Sequence, residues 1–230
     1  MTLTRNTLVG SALVGLLALG GCASGSGEAH QSPEEALSAA KTTLDKTSGV
    51  EVNLSTEKLP ASVNGILTAE GVGTHDPAFK GSLKVATGGI TADVPVVAAQ
   101  GKVFAKLPFT TKFVEVDPSE YAAPDPAGLM EPKGGLSSLL TAAKDVEEGE
   151  QVRSGEDVLS SYTGTVPGSV VADIIPSASA NASFDATFTV DDQDHLHKAV
   201  LTGPFYPKSG EVTYTITFDQ YGTNANIALP

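Results

Sequence analysis

From Val50 to Val116 apolar and polar residues alternate with a period of two, in runs too closely spaced to admit a helix between them. Val50, Val52 and Leu54 open the pattern, and Gly65–Thr74, Phe79–Thr87, Ile90–Ala99 and Lys102–Leu107 continue it between Gly, Pro, Asp or Asn turn signals. Parallel strands need a crossover of about a dozen residues, so strands joined this closely must run antiparallel, as a meander. The alternation returns at Val146–Arg153, Val158–Val166, Ser183–Val190, Leu196–Leu201 and Glu211–Phe218, with a short continuation expected at Asn224–Leu229. Pro95 lacks an N–H and predicts an edge or a bulge.

Three segments read as helices. Ser32-Pro33-Glu34-Glu35 is a capping box with Pro at the first helical position; Ala36, Leu37, Ala40 and Leu44 form its apolar stripe, and Gly49 is expected to end it. In the insert 118–146, Leu129 and Met130 precede the break Glu131-Pro132-Lys133-Gly134-Gly135, after which Leu136, Leu139, Leu140 and Ala143 have the spacing of a short amphipathic helix. A third starts at Pro167, presents Val170, Val171, Ile174 and Ile175, and stops at Pro176. No repeat and no second domain is visible. The expected class is α+β, a strongly curved antiparallel sheet with helices across one face.

The N-terminal residues read as an address. Arg5, the apolar run Leu8–Leu19 and Leu19-Gly20-Gly21-Cys22 have the order of a bacterial export signal ending in a lipobox. Residues 1–21 are the expected signal peptide, Cys22 the acylated residue, 22–31 a tether and 32–230 a single domain. The nine residues 23–31 reach roughly 15–18 Å as a coil. The expected place is the extracytoplasmic face of the cell membrane, held by palmitate-type acyl chains. With Arg5 removed the remainder carries 13 basic and 27 acidic residues, 13 − 27 = −14. That charge opposes nucleic acid and anionic lipid headgroups, both of which depend on clustered Lys and Arg, so membrane attachment is expected from the acyl chains and not from a basic patch. Cys22 is the only cysteine, so the domain must fold without a disulfide. No Trp and few other aromatic residues argue against a sugar-stacking cleft.

No constellation supports catalysis. His195 and His197 share a strand face, but no Cys or third His stands nearby, and a solvated strand end is the favoured reading. Asp191, Asp192 and Asp194 lack the glycine and closing Glu of a calcium loop and read as an acidic hairpin. Ser169 has no nucleophile elbow around it, no phosphate-binding Gly motif occurs, and Glu147, Glu148 and Glu150 read as a solvated turn. Neither metal nor cofactor is expected, and the chain is read as a non-enzyme.

Apolar supply is what remains. Ile66, Leu83, Val85, Ile90, Val94, Val96, Phe104, Phe184 and Phe188 are expected on one sheet face, opposite Leu129, Met130, Leu136, Leu139 and Leu140 of the insert. These residues make a core by default. A core rich in Val, Ala and Gly with few large rings also leaves room for a dry cavity between sheet and helices.

The whole layout resembles the LppX/LprG lipoproteins of actinobacteria. The likeness rests on the lipobox, the capped helix, Leu67–Gly88 with Gly81-Ser82-Leu83-Lys84-Val85, Asp125-Pro126-Ala127-Gly128-Leu129, and Gly134-Gly135-Leu136-Ser137-Ser138-Leu139-Leu140. The resemblance implies a half-barrel with helices on its concave face, similar to Lol-type carriers, enclosing an apolar cavity for acyl chains of lipids or glycolipids. It also implies transport across the envelope beside a membrane exporter. Carried over by position, Leu83 and Val85 would line the cavity from the sheet, facing Leu136, Leu139 and Leu140; Ile66, Val94, Val96, Phe104, Leu129 and Met130 complete the expected lining. A monomer is expected. The alternative is an adaptor lipoprotein that binds a protein partner and holds no ligand; a hydrolase with an unrecognised site is the weakest reading.

Overall fold

The computed structural model describes residues 31–60, 63–155 and 157–230. The signal segment, Cys22 and all but the last residue of the tether lie outside them.

The first helix, α1 (Pro33–Lys46), forms as its capping box dictates. Ser32 Oγ accepts from the Glu35 N–H at 3.2 Å, and the Ser32 N–H donates to Glu35 Oε2 at 2.9 Å. Ala36, Leu37, Ala40 and Leu44 are buried on one stripe. Gly49 does not cap this helix. Thr47 ends it in an extended conformation and Gly49 opens the first strand, where a Cβ would sit 2.6 Å from the Thr223 carbonyl.

Eleven strands follow in one sheet. They are β1 (Gly49–Ser55), β2 (Gly65–Thr74), β3 (Ala78–Thr87), β4 (Ile90–Ala99), β5 (Lys102–Ala105), β6 (Val114–Val116), β7 (Lys144–Ser154), β8 (Asp157–Pro167), β9 (Ser183–Val190), β10 (Leu196–Gly203) and β11 (Val212–Asp219). Two short helices complete the fold, α2 (Ser138–Ala142) and α3 (Gly168–Ile174). The strand order is β6-β5-β4-β3-β2-β1-β11-β10-β9-β8-β7 and every pairing is antiparallel. The sheet is open, with β6 and β7 at its edges. The one non-sequential junction is β1 to β11, in which Glu51 pairs with Asp219 and Ser55 with Thr215.

Three expectations change. Residues 224–229 form no strand. Glu147, Glu148 and Glu150 lie within edge strand β7, not in a turn. Pro95 sits inside β4, between β3 and β5, without a bulge. Its carbonyl accepts the Lys106 N–H at 2.9 Å, just beyond the last β5 residue. A residue's N–H and C=O leave a strand on the same side, so the missing N–H points past the end of β5 and breaks no ladder bond with β3.

All three helices pack on one sheet face. Val50, Val52 and Leu54 of β1 lie beside Phe218 and Ile216 of β11, and this row joins Ala199 and Leu201, Phe184 and Phe188, and Tyr162 and Val166 under the helices. A second, smaller apolar cluster occupies the same face over β3–β5: Phe79, Val94, Val96, Ala98, Val103 and Ala105, with Ala127. Glycines separate the two. Gly71 and Gly73 of β2 and Gly81 of β3 point inward at the boundary, by their pairing with Val52, Val50 and Val96. Side chains from both sides fill the space. A Cβ on Gly71 or Gly81 would lie 2.6 or 2.7 Å from Phe79 Cζ, and one on Gly73 2.5 Å from Met130 Cγ.

Gly73→Val should therefore drive Met130 off the sheet and lower stability by about 1–3 kcal/mol through overpacking. Urea midpoints will measure this, and G73V combined with M130A should lose less than the two losses added, because the two sites share one space.

Candidate functional site

The face that could receive an apolar ligand lies between the sheet and α2–α3. Neither helix is long enough to be stable alone, since a helix shorter than about 12 residues is marginal in water. Packing holds them: Leu139 and Leu140 of α2 and Val171 and Ile174 of α3 are buried against β8–β11. The start of α3 is pinned by the Gly168 N–H donating to the Ala182 carbonyl at 2.7 Å. The approach to α2 is tied to α1 through Lys41, whose Nζ donates to the Pro132 carbonyl at 2.7 Å and Ser137 Oγ at 2.9 Å while pairing with Asp45 at 2.7 Å.

A void of about 10 Å³ remains at this seam, lined by Leu54, Leu136, Leu139, Val171, Ile174, Ile175, Leu201, Phe205, Tyr214 and Ile216. Its exposed lining is wholly apolar. About 10–15 Å³ holds one water, whereas small-molecule pockets run to roughly 300–1,000 Å³. The seam is closed in this structure, and the expected enclosed cavity is not open. Its one polar side chain is satisfied: Tyr214 Oη donates to the Ile66 carbonyl at 2.7 Å and meets Tyr206 Oη at 2.7 Å. Burial pushes the Tyr214 phenol far above its ordinary value, so it stays neutral. Phe205 stacks edge-on between Phe184 and Tyr214, at 4.9 and 5.0 Å.

The predicted lining residues part company here. Leu136 and Leu139 line the void, and Leu140 and Met130 are buried in the same cluster, with Leu129 half-buried against it. Leu83, Val85, Val94 and Val96 share the inward face but belong to the cluster beyond the glycine boundary, so they do not face Leu136, Leu139 and Leu140. Phe104 pairs with Val97 and points to the opposite face, because the β4–β5 register places Val103 and Ala105 inward. Ile66 sits half-buried at the β2 bulge, outside both clusters. Ile90 is 60% exposed. The residues missed were visible as types: Val171, Ile174 and Ile175 are on the helical stripe, and Leu54, Leu201 and Ile216 on strand alternation. What sequence lacked was the β1–β11 pairing that brings them together. Phe205 lies outside every strand and had no periodic signal.

Other concave or polar features are plain in character. An open depression of about 470 Å³ lies mainly among outward-facing residues, including Glu51, Asn53, Glu70, Lys80, Ser82 and Asp219. His195 and His197 meet one carboxylate: Asp191 Oδ2 is 3.0 Å from His195 Nδ1 and 2.9 Å from His197 Nε2, while Asp191 Oδ1 accepts from the Gln193 and His195 N–H groups. Among the described residues no group of three His, Cys, Asp or Glu side chains converges as a metal site would need, and no helix is long and apolar enough to cross a membrane.

An open antiparallel sheet whose one face carries three helices over an apolar interior defines a class of α+β protein. Within that class the chain belongs to the LppX_LprAFG lipoprotein family, whose model matches residues 32–227. Among solved structures it is similar to LprF from Mycobacterium bovis, with a TM-score of 0.69 and 16% identity over 86% of this chain and 96% of that one. It is also similar to the lipoprotein LppX of Mycobacterium tuberculosis, with a TM-score of 0.62 and 18% identity over 85% and 97%. At such identities these likenesses establish the fold. No curated protein matches the sequence.

Burial pushes the Asp191 carboxyl up, but the hydrogen bonds from His197, His195 and Gln193 outweigh it and hold the group below the usual carboxylate range. A carboxyl lowered by folding stabilises the fold above its unfolded pKa of about 3.9, and that contribution is lost as pH falls through the lower folded value. Asp191→Asn should thus cost stability at neutral pH, and the gap to the parent chain should close on acidification. Urea midpoints taken from about pH 7 down to pH 3 will read this.

Proposed function

We propose that this protein is a membrane-anchored lipoprotein that takes acyl chains of a lipid or glycolipid into the seam between α2–α3 and the sheet and carries them across the cell envelope. The observation that carries the reading is the wholly apolar seam under two helices of five and seven residues. Membership of the lipoprotein family supports the anchor, which on this reading is Cys22, with 1–21 removed and 32–230 acting as one domain. The protein then stands on the extracytoplasmic side, beside an exporter that loads it, and works as a monomer without catalysis.

The physics suits a carrier. A buried methylene is worth about 0.8 kcal/mol, so a sixteen-carbon chain costs on the order of 12 kcal/mol to expose to water. Entry of such a chain exchanges one apolar surface for another: methylenes replace the Leu136, Leu139, Val171 and Ile174 contacts that now close the seam. Opening therefore exposes little apolar area to water once the chain is in. Helices this short have little stability of their own, so packing alone opposes their displacement.

The adaptor alternative needs a filled core, and the closed seam is that. It also needs an apolar patch on the outer sheet face; the depression over β1–β3 and β11 there is lined largely by polar and charged side chains, while Val97 and Phe104 pair on that face further along the sheet.

Native mass spectrometry and lipid extraction of the full chain from a lipid-rich host decide between them. The carrier reading expects acyl lipid beyond that attached at Cys22. Ile175→Trp, which fills the seam, should lower that lipid several-fold, while Leu83→Trp, across the glycine boundary, should leave it unchanged. An empty parent chain, or equal loading in both variants, overturns the assignment.

A further inference from the structure

The connection between β5 and β6 presents an apolar residue to water in a way no packing need explains. Phe109 is completely exposed, at 104% of its reference surface. Its backbone lies in the left-handed region at φ 65°. For a residue other than glycine that conformation costs on the order of 1 kcal/mol or more and persists only where neighbours impose it. Here they do. Leu107-Pro108-Phe109-Thr110 closes as a turn through the Thr110 N–H donating to the Leu107 carbonyl at 3.1 Å. Proline suits the second position of a type II turn, and the third takes positive φ. The Thr110 hydroxyl reaches the Leu107 carbonyl at 2.7 Å and the Lys112 carbonyl at 3.2 Å, tying both sides of the turn together. The turn is closed with the Phe109 ring in solvent.

Its charge is opposite to that of the protein. The whole chain has 27 acidic and 14 basic residues, yet residues 102–114 contain Lys102, Lys106 and Lys112 and no acid. Lys102 is engaged with Glu115 at 3.4 Å, while Lys106 and Lys112 make no ion pair among the described residues. Val114, 39% exposed, adds apolar surface at the start of β6. An exposed aromatic ring with cations three residues to either side in sequence has the composition that seats at the boundary of headgroups and acyl chains, ring inward and ammonium groups at the phosphates.

From this we infer that the 106–112 loop is a docking tip for an anionic bilayer surface, independent of the lipid anchor and of whether the α2–α3 seam opens. It would orient the domain against the membrane. The local lysines matter because the rest of the domain is repelled by such a surface.

The chain has no tryptophan, so Phe109→Trp introduces a unique fluorophore at the tip. The full chain would be reconstituted in vesicles of phosphatidylglycerol and phosphatidylcholine carrying doxyl-labelled acyl chains. We expect F109W emission to shift to the blue and to be quenched, most strongly by shallow labels. Val152→Trp, 59% exposed on β7 at the far edge of the sheet, should remain red and unquenched. Reversing Lys106 and Lys112 to Glu in the F109W chain should at least roughly halve the quenching. Unquenched F109W emission overturns the inference and leaves a protein as the partner of the ring. Equal quenching at both positions overturns it too, since that would be adsorption without a preferred face. Quenching indifferent to the lysine reversals overturns the electrostatic half.

Discussion

Everything in this fold hangs on the pairing of β1 with β11. Each half of the chain makes its own meander by local hairpins, β1 to β6 on one side and β7 to β11 on the other. In the sheet they are joined by the five residue pairs from Glu51–Asp219 to Ser55–Thr215. These contacts span most of the sequence, so their loop closure carries the largest entropic cost in the fold, and burial on the helical face has to offset it. The residues that do so are adjacent across the junction: Val52 and Leu54 beside Phe218 and Ile216, with α1 and α2 above.

The same junction explains what could be read from the sequence. Strand positions and the capped helix were legible because they depend on period, turn chemistry and capping, which are local. Gly65–Thr74, Ile90–Ala99 and Ser183–Val190 coincide with observed strands to the residue. The family was legible as well, from motifs spread over the domain. The seam was half legible. Leu136 and Leu139 line it, but their partners are set by long-range register, and carrying positions over from the family resemblance set Leu83 and Val85 opposite them, where the glycine boundary intervenes. Phe104 failed for a simpler reason: in a four-residue strand beside an apolar run on both faces, alternation has too few positions to fix its phase.

The glycines at 71, 73 and 81 divide the inward face in two. Composition suggested that small residues would leave space, yet the space above them is taken by Phe79 and Met130. A glycine in a strand can mean room for a ligand or room for another side chain, and only the tertiary neighbours distinguish the two. Here the closed seam lies elsewhere, under helices that have little stability of their own and are tethered at Lys41 and Gly168.

An open sheet leaves two rows of unpaired backbone groups, a template on which a second sheet could grow. At one edge β6 is only three residues long, too short to nucleate such growth. At the other, β7 carries Lys144, Glu147, Glu148, Glu150 and Arg153, and its register with β8 is interrupted twice. The glutamates that resembled a solvated turn are thus a guard along an exposed border. A protein with such a border can add copies of itself there whenever it is concentrated. Its charged, irregular β7 opposes polymerisation at the place where the fold is most open to it.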